Sequence, residues 1–126
     1  MIVVDTSALI AILTGETAGP QCLAVFEQND LAMSAATLTE AIIVSIARGY
    51  DRSLVGLIET AEIEIVPHNA QLAYLSGEAF RQWGKGRHPA ALNYGDCCAF
   101  ALAKQRDCPL LYVGNDFSQT DIVSAI

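Results

Sequence analysis

The 126-residue sequence predicts an α/β fold, a parallel sheet with helices on both faces. Short apolar runs at Ile2–Asp5, Leu31–Ser34, Glu64–Val66 and Leu110–Val113 alternate with stretches of helical periodicity. Hydrophobic residues make up 52% of the chain and charged residues 17%, which excludes disorder. No linker, internal repeat or low-complexity segment interrupts the pattern, so residues 1–126 are expected to form one domain. A chain of this size buries roughly two-thirds of its unfolded surface, enough for a core without covalent staples.

Each element has its local reason. Ile2–Asp5 reads as a first buried strand, and Thr6–Leu13 as a short helix ended near Gly15. Ala18–Gln28 is helical, with Pro20 in the first turn, where its missing N–H does no harm. After the Leu31–Ser34 strand, Thr37–Arg48 carries an apolar stripe of Leu38, Ile42, Ile43 and Ile46 and stops at Gly49. Arg52–Thr60 is a further helix, and Pro67 cuts off the Glu64–Val66 strand. Asn69 caps a helix reaching Trp83, with Leu72, Leu75, Ala79, Phe80 and Trp83 at helical spacing. Gly84–Asn93, with two glycines and a proline, is a loop; Tyr94–Gln105 is helical. Leu110–Val113 is a strand, Gly114–Thr120 a loop, and the last residues are expected to add a fifth short strand.

Composition narrows the function. Fourteen acids against seven bases give a net charge of −7, so no broad basic face is available for nucleic acid. A phosphate-bearing substrate would need a metal ion or a few clustered cations. No apolar run approaches the ~20 residues of a membrane span. The N-terminus lacks a basic stretch before its apolar one, and a cytoplasmic location is expected. Cys22, Cys97, Cys98 and Cys108 form no C-x-x-C pair and are expected to be buried thiols.

In a parallel sheet, ligands bind at the carboxyl ends of the strands. Asp5 ends the first strand, Glu40 follows the second in a helix, and Asp116 follows the last. Asp96 joins them if the Tyr94–Gln105 helix starts at the same rim. Four ionised carboxylates at one edge repel each other, and a hard divalent cation relieves the conflict. Mg²⁺ or Mn²⁺ suits such an oxygen-donor set, whereas only His68 and His88 are available for zinc. Capping competes with ligation at Asp5 and Asp96, and a turn role competes at Asp116. Ser7 is open to a metal-bound water, to substrate or to capping, and Thr6 reads as a cap. Asn115 and Asp121 are accessory candidates in a turn. Arg81, Lys85 and Arg87 place three of seven cations within seven residues, either as a solvated loop or as a phosphate grip.

DTSALIAIL, a glutamate on a central helix, GKGRHPAALNYGDCCAFALA and LLYVGNDFSQTDI together resemble the PIN-domain ribonucleases, specifically the VapC toxins of toxin–antitoxin pairs. The resemblance covers nearly the whole chain in order and spacing. It implies a PIN-like, Rossmann-like fold and Mg²⁺- or Mn²⁺-dependent endonuclease action on RNA through metal-activated water. The family's acids fall on Asp5, Glu40, Asp96 and Asp116, with Asp5 and Asp96 as the direct ligands. Its polar residue falls on Thr6 or Ser7, and a more variable acid on Asp121. A homodimer and an inhibitory VapB-type antitoxin are implied as partners.

Other classes fit less well. A receiver-type signalling domain wants paired acids after the first strand and a Lys after the last, where this chain has Asp5 alone and Gly114-Asn115. A haloacid-dehalogenase-like phosphatase wants a second Asp where Ser7 stands. A catalytically inactive PIN fold used only for binding stays open on the sequence.

Overall fold

A computed structural model describes all residues, Met1–Ile126. Chain order is β1 (Ile2–Val4), α1 (Thr6–Leu13), α2 (Gly19–Gln28), β2 (Leu31–Ser34), α3 (Ala35–Arg48), α4 (Asp51–Thr60), β3 (Glu64–Val66), α5 (Ala70–Trp83), α6 (Tyr94–Gln105) and β4 (Leu110–Leu111). The four strands lie in the order β3-β2-β1-β4, every pair parallel. The expected α/β architecture is therefore present.

The strands alternate their side chains between two cores, as the pleat requires. Val3, Ala32, Val66 and Leu110 face α5 and α6, meeting Leu72, Ala79 and the apolar residues of α6. Ile2, Val4, Leu31, Met33 and Leu111 face the other way, onto Ala8, Leu9, Cys22, Phe26, Ala41 and Leu54. The cysteines are free thiols, three buried and Cys108 half-buried. No helix is long and apolar enough to cross a membrane.

Several boundaries differ from expectation, each for a physical reason. Asp5 is not the end of β1; it leaves the strand to become the N-cap of α1. Ser34 starts α3 two residues earlier than expected, its Oγ accepting from Ala36 N–H at 3.1 Å. Gly49 ends α3 in the left-handed region at φ +82°, as its position suggested. The β4 ladder stops at Leu111 because the next available donor, Val113 N–H, goes to Ser7 Oγ at 3.0 Å instead. The expected fifth strand is a single parallel bridge between Leu110 and Ser124. The α3 stripe faces inward only in part: Leu38 and Ile42 pack against the core and Thr37, Ala41 and Ser45 are buried, while Ile43 and Ile46 are each 61% exposed.

Leu102 lies fully buried in α6 against the sheet, whereas Val55 on α4 is 46% exposed. Leu102→Ala is expected to lower unfolding stability by about 2–5 kcal/mol. Val55→Ala should stay within about 0.5 kcal/mol. Urea titration of the two variants checks the contrast.

Candidate metal centre

Asp5 is 95% buried at the carboxyl end of β1, its relative exposure being 5%. Its Oδ2 accepts Ser7 N–H at 3.1 Å and Ser7 Oγ–H at 2.6 Å. Its Oδ1 is buried and has no partner. Asp96 lies in the first turn of α6 and repeats this arrangement. Asn93 Oδ1 accepts Asp96 N–H at 2.9 Å, and Asp96 Oδ2 accepts Asn93 N–H at 3.1 Å. This reciprocal capping box starts the helix. Each aspartate thus commits one oxygen to a helix N-terminus and leaves Oδ1 for another ligand.

The hydroxyls serve the acids, reversing the expectation that Thr6 is the cap. Thr6 Oγ1 donates to Glu40 Oε1 at 2.7 Å. Ser7 Oγ donates to Asp5 and accepts Val113 N–H, tying β1 to the segment that leads to Asp116. Glu40, in α3, lies against Gly95 of α6. Asp116 is exposed on the Gly114–Thr120 loop, whose Phe117 is 1% exposed and packs on Tyr112 with ring centroids 5.0 Å apart. That anchor holds the loop over the end of β4.

The electrostatics show that these four acids share one neighbourhood. Burial pushes Asp5 up to about 6, opposed by the Ser7 hydrogen bonds and reinforced by the charges of Glu40 and Asp116. Burial likewise pushes Asp96 up to about 7, opposed by Asn93 N–H and reinforced by Asp5, Asp116 and Glu40. No three acids are drawn together tightly enough to enclose an ion by themselves. Mg²⁺ is usually held by one or two carboxylates and keeps several waters. An unpartnered buried carboxylate oxygen is costly, and a bound cation satisfies it. The donor set is all oxygen, so the residues present fit a hard divalent ion.

Other candidates lie apart. Asp121 is paired with Lys104 Nζ at 3.0 Å, near the C-terminal end of α6 and about 12 Å along that helix from Asp96. Arg81 pairs with Glu78 at 3.3 Å in a groove of about 370 Å³ shared with Lys104 and Asp121. Arg87 Nε donates to Arg81 O at 3.1 Å, and Lys85 is exposed. A Gly84–Leu92 bridge closes this basic loop and brings the end of α5 next to the start of α6. Asn115 acts in the turn, its carbonyl accepting Ser118 N–H and Ser118 Oγ–H. A cavity of about 670 Å³ beside Tyr94 and Cys97 holds none of the four acids. Reading the sequence missed Asn93, Gly95 and Phe117; the N-x-x-D spacing of Asn93 and Asp96 is a legible capping signal.

Both raised groups make the metal-free folded chain bind more protons than the unfolded chain between about pH 4 and 7. The stability they contribute is complete below the ordinary carboxylate range and is lost as pH rises through about 6 to 7. In chelator, Tm is expected to fall from about pH 5 to about pH 8. Asp96→Asn should flatten that slope and melt above wild type at the higher pH. Parallel melting curves for the two proteins across this range would contradict a raised Asp96 carboxyl group.

The sequence model of the PIN domain matches residues 2–123. VapC ribonuclease Mb0640 of Mycobacterium bovis is 40% identical over 126 residues, covering 97% of this chain and 96% of the relative. Ribonuclease VapC of Mycolicibacterium smegmatis is also 40% identical over 126 residues, covering 97% and 98%. The crystal structure of Mycobacterium tuberculosis VapC20, described as a Sarcin-Ricin loop cleaving toxin, superposes with a TM-score of 0.78 at 17% identity, covering 99% and 98%. A toxin–antitoxin complex from Klebsiella pneumoniae gives 0.75 at 19% identity, covering 99% and 97%. These two structures share the fold. With a match along nearly its whole length and relatives at 40% identity, the chain belongs to the PIN-domain family, in its VapC branch.

Proposed function

We propose that this protein is a metal-dependent endoribonuclease toxin of the VapC type, restrained by a VapB-type antitoxin. One observation supports this above the others. Asp5 and Asp96 each keep one oxygen out of a helix cap, and their carboxyl groups are pushed up to about 6 and about 7, chiefly by burial and further by neighbouring acids. The relatives are named as ribonucleases, and one structural neighbour is a toxin–antitoxin complex, which favours the same reading.

In this reading Asp5 and Asp96 hold Mg²⁺ or Mn²⁺, with Glu40 and Asp116 completing the negative field. When bound, the ion offsets charge at the phosphodiester and acidifies water to a nucleophile. Ser7 keeps Asp5 oriented through its 2.6 Å hydrogen bond. Asp116, exposed on its loop, adds its charge to those acting on Asp5 and Asp96. Lys85 and Arg87, at the α5–α6 turn, supply local positive charge in a chain of net charge −7. Neither histidine is needed for the chemistry. A homodimer and a cytoplasmic location complete the proposal.

Asp96→Asn tests it. Asparagine keeps an acceptor oxygen for Asn93 N–H, so the α6 cap and the fold should persist. Purified Asp96→Asn protein assayed on RNA with Mn²⁺ is expected to show no cleavage with an unchanged circular-dichroism spectrum. Cleavage at the wild-type rate would refute the assignment.

A further inference from the structure

Gly95 is the second residue of α6, in its first turn. It is buried, and a Cβ built there would overlap the Glu40 carboxylate: Oε2 lies closest, with Cδ at 2.7 Å and Oε1 at 3.0 Å. Contacts that short are not found for real side chains. The other side of Glu40 is fixed as well, since Oε1 accepts the Thr6 hydroxyl at 2.7 Å. Thr6 is bonded to Asp5, and Gly95 to Asp96. The two aspartates that offer free oxygens are thus each one residue from a contact with the same glutamate. α3 and α6 also pack against one another, so Glu40 works as a strut between the starts of α1 and α6.

We propose that Gly95 is a positioning residue of the acidic centre: its missing side chain seats the Glu40 carboxylate against α6, and this contact sets the spacing of Asp96 from Asp5. The inference rests on the metal-binding reading above and assigns to Gly95 and Glu40 a role in geometry. A methyl group at position 95 pushes the Glu40 carboxylate off its Thr6 hydrogen bond or shifts the first turn of α6, and under the proposal both change the spacing of Asp96 from Asp5.

The test compares Gly95→Ala, Glu40→Asp and the double variant, with Gly77→Ala as a control, because a Cβ on Gly77 meets nothing within 4 Å. Mn²⁺ alone is titrated calorimetrically into each protein, and cleavage is measured against Mn²⁺ concentration. Gly95→Ala is expected to keep its circular-dichroism spectrum and lose Mn²⁺ affinity about tenfold or more, as for other residues that orient ligands. The Mn²⁺ needed for half-maximal cleavage should rise in parallel, while Gly77→Ala binds as wild type. Shortening Glu40 relieves the overlap, so the double variant should bind Mn²⁺ no more weakly than Glu40→Asp. Wild-type affinity in Gly95→Ala, or additive losses in the double variant, overturns the proposal. If Gly95→Ala fails to fold, recovery of folding in the double variant supports the contact, and failure of both overturns it. A wild type that binds Mn²⁺ but leaves RNA uncut refutes the ribonuclease reading while the spacing role stands.

Discussion

Four carboxylates at one rim of the sheet repel each other, and one of them, Asp5, is buried while Asp96 is half-buried. The fold bears this conflict through helix starts. α1 and α6 each begin at this rim, and the free N–H groups of a helix start carry partial positive charge. Asp5 and Asp96 each place one oxygen on such a start, at Ser7 and at Asn93 respectively. Glu40 takes a hydroxyl from Thr6. Those hydrogen bonds oppose, without cancelling, the cost of burial and like charge, and both aspartates stay well above the ordinary carboxylate range. Capping takes one oxygen of each aspartate, and the proposed ligation would use the other.

The parallel topology makes this convergence possible. With all strands in register, Asp5, the start of α3 after Ser34, and the segment after Leu111 emerge on the same edge. The loop between α5 and α6 folds back through Gly84 and Leu92, so α6 also starts near its neighbours' ends. Ser7 links β1 to Val113 and thereby ends β4. One hydroxyl orients Asp5 and fixes where the Asp116 loop begins.

Much of this was legible in the sequence. Asn69, Gly49 and the apolar periodicity of residues 70–83 and 94–105 marked their helices well, because caps and buried faces are local signals. The strand-end positions of Asp5 and Asp116 followed from chain order. Long-range hydrogen bonds were not legible. Nothing local says that Ser7 reaches Val113, 106 residues away, or that Thr6 reaches Glu40, 34 residues away. The apolar stripe of α3 was half right: Leu38 and Ile42 pack against the core beside the buried Thr37, Ala41 and Ser45, whereas Ile43 and Ile46 stay outside. Asp121, an accessory candidate in a turn, pairs with Lys104 near the C-terminal end of α6, a contact its local sequence does not announce. The reason for Gly95 beside Asp96 is not local either: it is the side chain of Glu40, 55 positions earlier.

The central claim is that the raised carboxyl groups of Asp5 and Asp96 are the groups that receive a divalent ion. Such ligands must lose their protons on binding, so the protons released by Mn²⁺ report them directly. Calorimetric titration of Mn²⁺ in buffers of different ionisation enthalpy counts those protons. With groups at about 6 and about 7, release of about one proton or more per ion is expected at about pH 6, falling toward none above about pH 8. Binding with no proton release at the lower pH would contradict the claim.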